Sequence, residues 1–206
     1  MSLPRLFVIG DSISIHYGPY LEQYVQGQYQ YARKQGTELA LQNLDVPQGA
    51  NGGDSSHVLE FLRMMQANGG IEADVLLLNC GLHDIKTDPG TGEKQVTPEH
   101  YEANLRSIIE ITREMGLMTV WVRTTPVDES VHNHEQSSFY RFAADGEMYN
   151  VIADAVMRAH EVPFVDLYTF TCNLGPGLYC DHVHFHEHIR AKQAAYIAGW
   201  LQAYRT

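Results

Sequence analysis

Four short segments carry residue types that can do chemistry together: Gly10-Asp11-Ser12, Gly53-Asp54-Ser55, Gly81-Leu82-His83-Asp84 and Asp181-His182-Val183-His184. A serine hydroxyl is a weak nucleophile until a neighbouring base takes its proton. His184 can be that base, and Asp181, three residues earlier in a tight loop, can orient its ring and choose its tautomer. A glycine just before a helix N-cap lets backbone approach a ligand and aim an N–H at developing negative charge. Gly53 fits that description, and His83 can add an imidazole N–H. Each segment alone is a weak signal. Ser12 reads as well as an N-cap, Gly52-Gly53 as a turn and His83 as a loop histidine, and Asp-x-x-His is short and common. Gly10-Asp11-Ser12-Ile13-Ser14 also lacks the last glycine of the Gly-x-Ser-x-Gly elbow, so the α/β-hydrolase fold is not indicated.

These segments must be held by regular elements, and the apolar pattern supplies them. Strands are expected at Arg5–Ile9, Glu38–Leu44, Asp74–Asn79, Leu117–Thr124 and Val162–Leu167. Between them lie amphipathic stretches. Pro19–Lys34 is the first; the next starts at the N-cap Asp54 and stops at Gly69-Gly70, and the third is opened by Thr97-Pro98. Phe139–His160 and Glu187–Tyr204 complete the set. Strands alternating with helices predict a single domain over residues 1–206. Its fold class is α/β: three layers (α/β/α) around a flavodoxin-like, five-stranded parallel sheet. Ligands of such sheets bind outside the carboxyl ends of the strands, where all four segments fall.

Taken together and in this order, the segments resemble the SGNH, or GDSL-type, hydrolase family. The resemblance spans nearly the whole chain. It implies that Ser12 is the nucleophile and that Asp181 and His184 complete a catalytic triad. It also implies an oxyanion hole of the Ser12 and Gly53 N–H groups and the side chain at position 83. The family carries Gly-x-Asn-Asp where this chain has Gly81-Leu82-His83-Asp84, so His83 stands in place of the usual asparagine donor. A neutral imidazole keeps one N–H donor, and loss of such a donor typically costs about 10²–10³ in turnover. The implied activity is an acylhydrolase working on small acyl esters through an acyl-enzyme, such as O-acetyl groups on a carbohydrate, with no cofactor or metal required. The family's substrates are diverse, so the acyl and alcohol groups stay open.

A rival comes from His182, His184, His186 and His188, which an extended segment would place on one face. Imidazoles with carboxylates bind Zn²⁺ and related ions, so a metal-dependent hydrolase or metal-binding protein is the alternative, with His132 and His134 as further ligands. An inactive binding domain on the same fold is a third reading. Tyr17, Tyr20, Trp121, Tyr140, Phe142 and Tyr179 are candidate sugar platforms, though such aromatics more often pack in cores.

Composition bounds the rest. The 206 residues carry a formal net charge of −11, against nucleic acid or anionic lipid as partners. No apolar run approaches the ~20 residues that span a bilayer. Three cysteines do not make a disulfide framework, and free thiols are favoured over a Cys172–Cys180 bridge. Leu6–Ile9 is too short for a signal-peptide core, which makes the cytoplasm the expected compartment. Oligomeric state has no sequence signal here.

Overall fold

The apolar run after Pro4 becomes β1 (Arg5–Ile9) at the heart of a parallel sheet. In this computed structural model, residues 2–134 and 137–204 are described. After β1 come α1 (Ser12–Tyr24), β2 (Gln30–Arg33), α2 (Thr37–Ala40), α3 (Ser55–Ala67) and β3 (Val75–Leu78). Then follow α4 (Pro98–Glu114), β4 (Met118–Val122), α5 (Glu129–His132), α6 (Ala143–Ala159), β5 (Phe164–Val165), α7 (Leu167–Cys172) and α8 (Glu187–Tyr204). The strand order is β2-β1-β3-β4-β5, all parallel. That is the flavodoxin-like order with its switch point between β1 and β3.

All four residues of β3 are buried, as a central strand covered on both faces requires. Helix α1 packs on α8 with α7 alongside, and α3, α4 and α6 pack against one another in turn. Three helix starts carry side-chain caps, expected at Asp54 and Thr97, whereas at α1 the cap is Asp11 and not Ser12. Asp11 accepts from the Ile13 N–H, Asp54 from Ser56 and His57, and Thr97 from His100. Among the described residues, no helix is long and apolar enough to cross a membrane.

Two elements differ from the sequence expectation. The second strand is Gln30–Arg33, not Glu38–Leu44, where the chain forms only the four-residue α2. Correspondingly, α1 begins at Ser12 and ends at Tyr24 instead of running from Pro19 to Lys34. β2 lies at the sheet's edge with alternately exposed and half-buried residues, so it needs no apolar run. The last strand is only two residues long, because Asp166 caps α7 immediately after it. Cys172 and Cys180 are free thiols.

The carboxyl ends of β3 and β4 are locked together by buried polar groups. Asn150 on α6 accepts from the Thr124 N–H at 3.0 Å and donates to the Thr124 carbonyl at 2.9 Å. Thr124 Oγ1 in turn donates to the Cys80 carbonyl at 3.0 Å, beside the His83 loop. Asn150→Ala strands both backbone groups of Thr124, and a buried unpaired group costs about 1–3 kcal/mol. Urea unfolding of this variant is expected to show a loss of that order at an unchanged m-value.

Candidate active site

Gly10, at the end of β1, pairs with Asn51 through an isolated parallel bridge, and the Gly52 N–H donates to the Gly10 carbonyl at 2.9 Å. This draws the 51–55 loop against the start of α1. Ser12 is the first residue of that helix, where backbone N–H groups have no intrahelical acceptor and the helix dipole favours negative charge. Gly53 sits at φ +71°, and a Cβ there would lie 2.5 Å from that of Pro47, so only glycine fits. The Gly53 N–H, expected to be an oxyanion donor, is directed to Asn51 Oδ1 at 3.0 Å. Asn51 is itself held by the Leu44 carbonyl.

The loop after β3 is fastened from several sides. Gly81 (φ +149°) passes so close to Thr124 that a Cβ would sit 2.3 Å from its hydroxyl. Asp84 Oδ1 accepts from the Ser55 N–H at 2.9 Å, joining this loop to the start of α3. The Arg141 guanidinium Nε donates to the Leu82 carbonyl at 2.7 Å, directly before His83. His83 is only 3% exposed. Burial, with Lys86 and Arg141 adding their charge, pushes its pKa well below the ordinary imidazole value. The ring is therefore neutral at pH 7, with one N–H to give.

His184 is delivered by a turn that doubles back between α7 and α8. The Cys180 N–H donates to the His184 carbonyl at 2.8 Å, the His186 N–H to the Leu178 carbonyl at 2.9 Å, and Tyr179 bridges to Phe185. Asp181 accepts the backbone N–H groups of Val183 (2.9 Å) and His184 (2.7 Å). These bonds, with His184 nearby, outweigh partial burial and hold its carboxyl down at about 2. An ionised Asp181 can only accept, so His184 Nδ1–H donates to Oδ2 at 2.8 Å. The Nε2 lone pair then faces Ser12 Oγ, also at 2.8 Å. Ser12, His184 and Asp181 thus form a continuous chain of hydrogen bonds, and the geometry lets the imidazole take the hydroxyl proton.

Several neighbours escaped the sequence reading. His16, one turn along α1 from Ser12, packs edge-on against His184 with ring centroids 4.9 Å apart. Arg141 is 2% exposed, an unusual place for a guanidinium. Its Nη1 donates to His132 Nε2 at 2.8 Å. His132 must then carry its proton on Nδ1, which faces Asn133 Oδ1 at 3.0 Å. Burial and Arg141 lower its pKa to about 4, so it is neutral. The ring of His132 abuts that of His182 (4.7 Å), which abuts His184 (5.7 Å). A basic residue whose guanidinium hydrogen-bonds a carbonyl and an imidazole leaves no local signature in sequence.

The four alternating histidines do not share a face. His184 is buried, His182 half-buried, and His186 and His188 are exposed and stack on each other at 5.9 Å. The segment is a turn running into α8 rather than a strand, which breaks the alternation. Among the described residues, Asp181, His182 and His184 are the one group able to converge on an ion, and two of them already face each other in the hydrogen-bond chain. The aromatic candidates are mostly packing residues: Tyr17 and Trp121 are buried, and Tyr179 stacks on Phe185.

Fold and site together define a three-layer α/β hydrolase with a serine, a histidine and an aspartate at the carboxyl edge of its sheet. Residues 8–190 match the model of the GDSL-like lipase/acylhydrolase family, and the chain belongs to that family, whose members are ester hydrolases. Solved structures of the same fold include a lipase/acylhydrolase from Enterococcus faecalis, 16% identical, covering 98% of this chain and 96% of that one with a TM-score of 0.72. An acetyl xylan esterase, also 16% identical, covers 96% and 99% with a TM-score of 0.69. A carbohydrate acetylesterase from Sinorhizobium meliloti is 14% identical, covers 97% and 99%, and has a TM-score of 0.61. No curated protein matches the chain significantly.

The electrostatics set a pH dependence. Burial lowers the His184 pKa below its ordinary value of 6.5, and Asp181 offsets this only in part. Protonated His184 cannot accept the serine proton, so a reaction that uses it as base loses activity as pH falls through that pKa. The acid limb of kcat/KM for an activated ester is expected to have its midpoint below 6.5, as measured by a pH–rate profile.

Proposed function

We propose that the protein hydrolyses small acyl esters, in particular O-acetyl groups on carbohydrates, by a serine acyl-enzyme mechanism. The hydrogen-bond chain Asp181–His184–Ser12 carries the reading. Ser12 Oγ attacks the ester carbonyl while His184 Nε2 takes its proton, and Asp181 stabilises the imidazolium that forms. The tetrahedral oxyanion is received by the Ser12 N–H at the α1 terminus, the Gly53 N–H and the neutral His83 ring. Asn51 must share or release the Gly53 N–H as the oxyanion develops. His184 then returns the proton to the leaving alcohol, and a water activated by the same imidazole releases the acid.

The preference for a small acyl group is supported by the lining of the nearby cavities. Those adjoining the His182 side of the triad are walled by Asp45, Lys86, Asp88 and several histidines and serines. A more apolar cavity of about 430 Å³ lies at the opposite edge of the sheet, beside Leu3, Val75 and Met118, far from the strand ends that hold the site. The solved acetyl xylan esterase and carbohydrate acetylesterase share the fold and are consistent with an acetylated sugar as substrate.

A pre-steady-state burst with p-nitrophenyl acetate is expected from the wild type and abolished in Ser12→Ala, and dialysis against a chelator is expected to leave turnover unchanged. Undiminished turnover in Ser12→Ala contradicts the mechanism. Across p-nitrophenyl esters, kcat/KM is expected to fall from acetate to octanoate. His83→Asn is expected to retain most activity, whereas His83→Ala is expected to lose about 10²–10³ in kcat. Equal activity of the two variants removes His83 from the oxyanion hole.

A further inference from the structure

One imidazole away from the triad lies a cavity of about 200 Å³, lined among others by Asp45, His132, His134, Ser138, Phe139 and His182. It joins the catalytic centre through His182, whose ring lies 5.7 Å from that of His184. We infer that this cavity is a subsite for the alcohol part of the ester, and that a free hydroxyl of a sugar is recognised there by Asp45 and His182 acting together. The inference rests on the carbohydrate-ester reading above and names the residues that would confer it.

His182 Nε2 and Asp45 Oδ2 are 3.5 Å apart, a long contact that leaves each atom room for a further partner. A hydroxyl oxygen beside the pair, on its cavity side, can lie at ordinary hydrogen-bond distance from both atoms. It then donates to the carboxylate and accepts from the imidazole N–H, using both capacities that an alcohol has. An ester oxygen or alkyl chain in the same place satisfies neither group. Both side chains are partly open, at 36% exposure for Asp45 and 29% for His182, so a ligand can reach them.

The pocket is also held rigid and charged from behind. His182, with Arg141 and Lys86 adding their charge, holds the Asp45 carboxyl well below the usual carboxylate range despite its burial, so it is an obligate acceptor at neutral pH. The Asp45 backbone carbonyl is gripped by Lys86 Nζ at 2.6 Å. His132 is fixed between Arg141 and Asn133, and its ring supports His182 edge-on. Phe139 offers no open apolar wall, because Lys86 Nζ lies 4.1 Å and the Arg141 guanidinium 4.8 Å from its ring centre. An acyl tail therefore finds little apolar surface here, whereas a hydroxylated ring finds fixed partners.

The test compares two substrates: a mono-O-acetylated methyl xyloside, which keeps free hydroxyls, and p-nitrophenyl acetate, which has none. Asp45→Asn and His182→Gln are each assayed on both. A hydrogen bond to a charged group contributes about 1.5–3 kcal/mol, or roughly 10–100-fold. The ratio of kcat/KM for the sugar ester to that for p-nitrophenyl acetate is expected to fall at least tenfold in each variant, mainly through KM. A ratio that stays constant, whether both activities hold or both fall in parallel, overturns the subsite while leaving the carbohydrate reading intact. A wild type that cleaves p-nitrophenyl acetate but none of a set of acetylated sugars overturns that reading and the subsite with it.

Discussion

Ser12 and His184 are 172 residues apart, yet their side chains meet at 2.8 Å. Neither could be placed so closely by a flexible segment, and much of the fold can be understood as the scaffold for this one hydrogen bond. On the serine side, the interior strand β1 ends at a capped helix start, which fixes the Oγ at the rim of the sheet. On the histidine side, α8 packs on α1, and the turn before it is closed by backbone bonds and by Asp181. The helix pair therefore couples the two halves of the dyad directly. The rest of the sheet serves to bring the Gly53 and His83 loops to the same edge.

Behind that edge, charge is buried in a way that a small α/β domain would ordinarily avoid. Asp11 and Asp84 are shielded from water, and burial raises their carboxyls to about 6 and about 7. Arg141 sits among Asp11, Asp45 and Asp181, and burial brings even its guanidinium down to about 10. A buried cation is tolerable only where carboxylates and acceptors compensate its desolvation. The arrangement has two effects on the site. It grips the carbonyl before His83, and its positive charge helps keep that imidazole neutral. The result is an uncharged imidazole on a fixed loop, which is what the proposed oxyanion donor requires.

Sequence reading succeeded where physical rules are local. The all-buried β3 stood out as Val75-Leu76-Leu77-Leu78, and Asp54 and Thr97 announced their helices by their capping chemistry. The serine, histidine and aspartate singled out for following a strand or preceding the last helix are brought together in one hydrogen-bond chain. It failed where tertiary context decides. The edge strand Gln30-Tyr31-Ala32-Arg33 has no apolar run, because alternate residues face water. The Glu38–Leu44 segment looked like a strand by its leucines, yet Leu39 and Leu41 are exposed. Asp45 lies far in sequence from His132 and Arg141, and it meets them only once the loops fold over the sheet. The types of Asp45 and Arg141 gave no hint, since arginine and aspartate are usually on the surface.

The central claim is that Ser12 becomes the covalently acylated atom. It is tested most directly by treating the native protein with a p-nitrophenyl alkylphosphonate and locating the adduct by peptide mass spectrometry. The account predicts one stoichiometric phosphonyl group on the peptide containing Ser12, with labelling suppressed in His184→Ala. Stoichiometric labelling of a different residue, with concomitant loss of esterase activity, would contradict it.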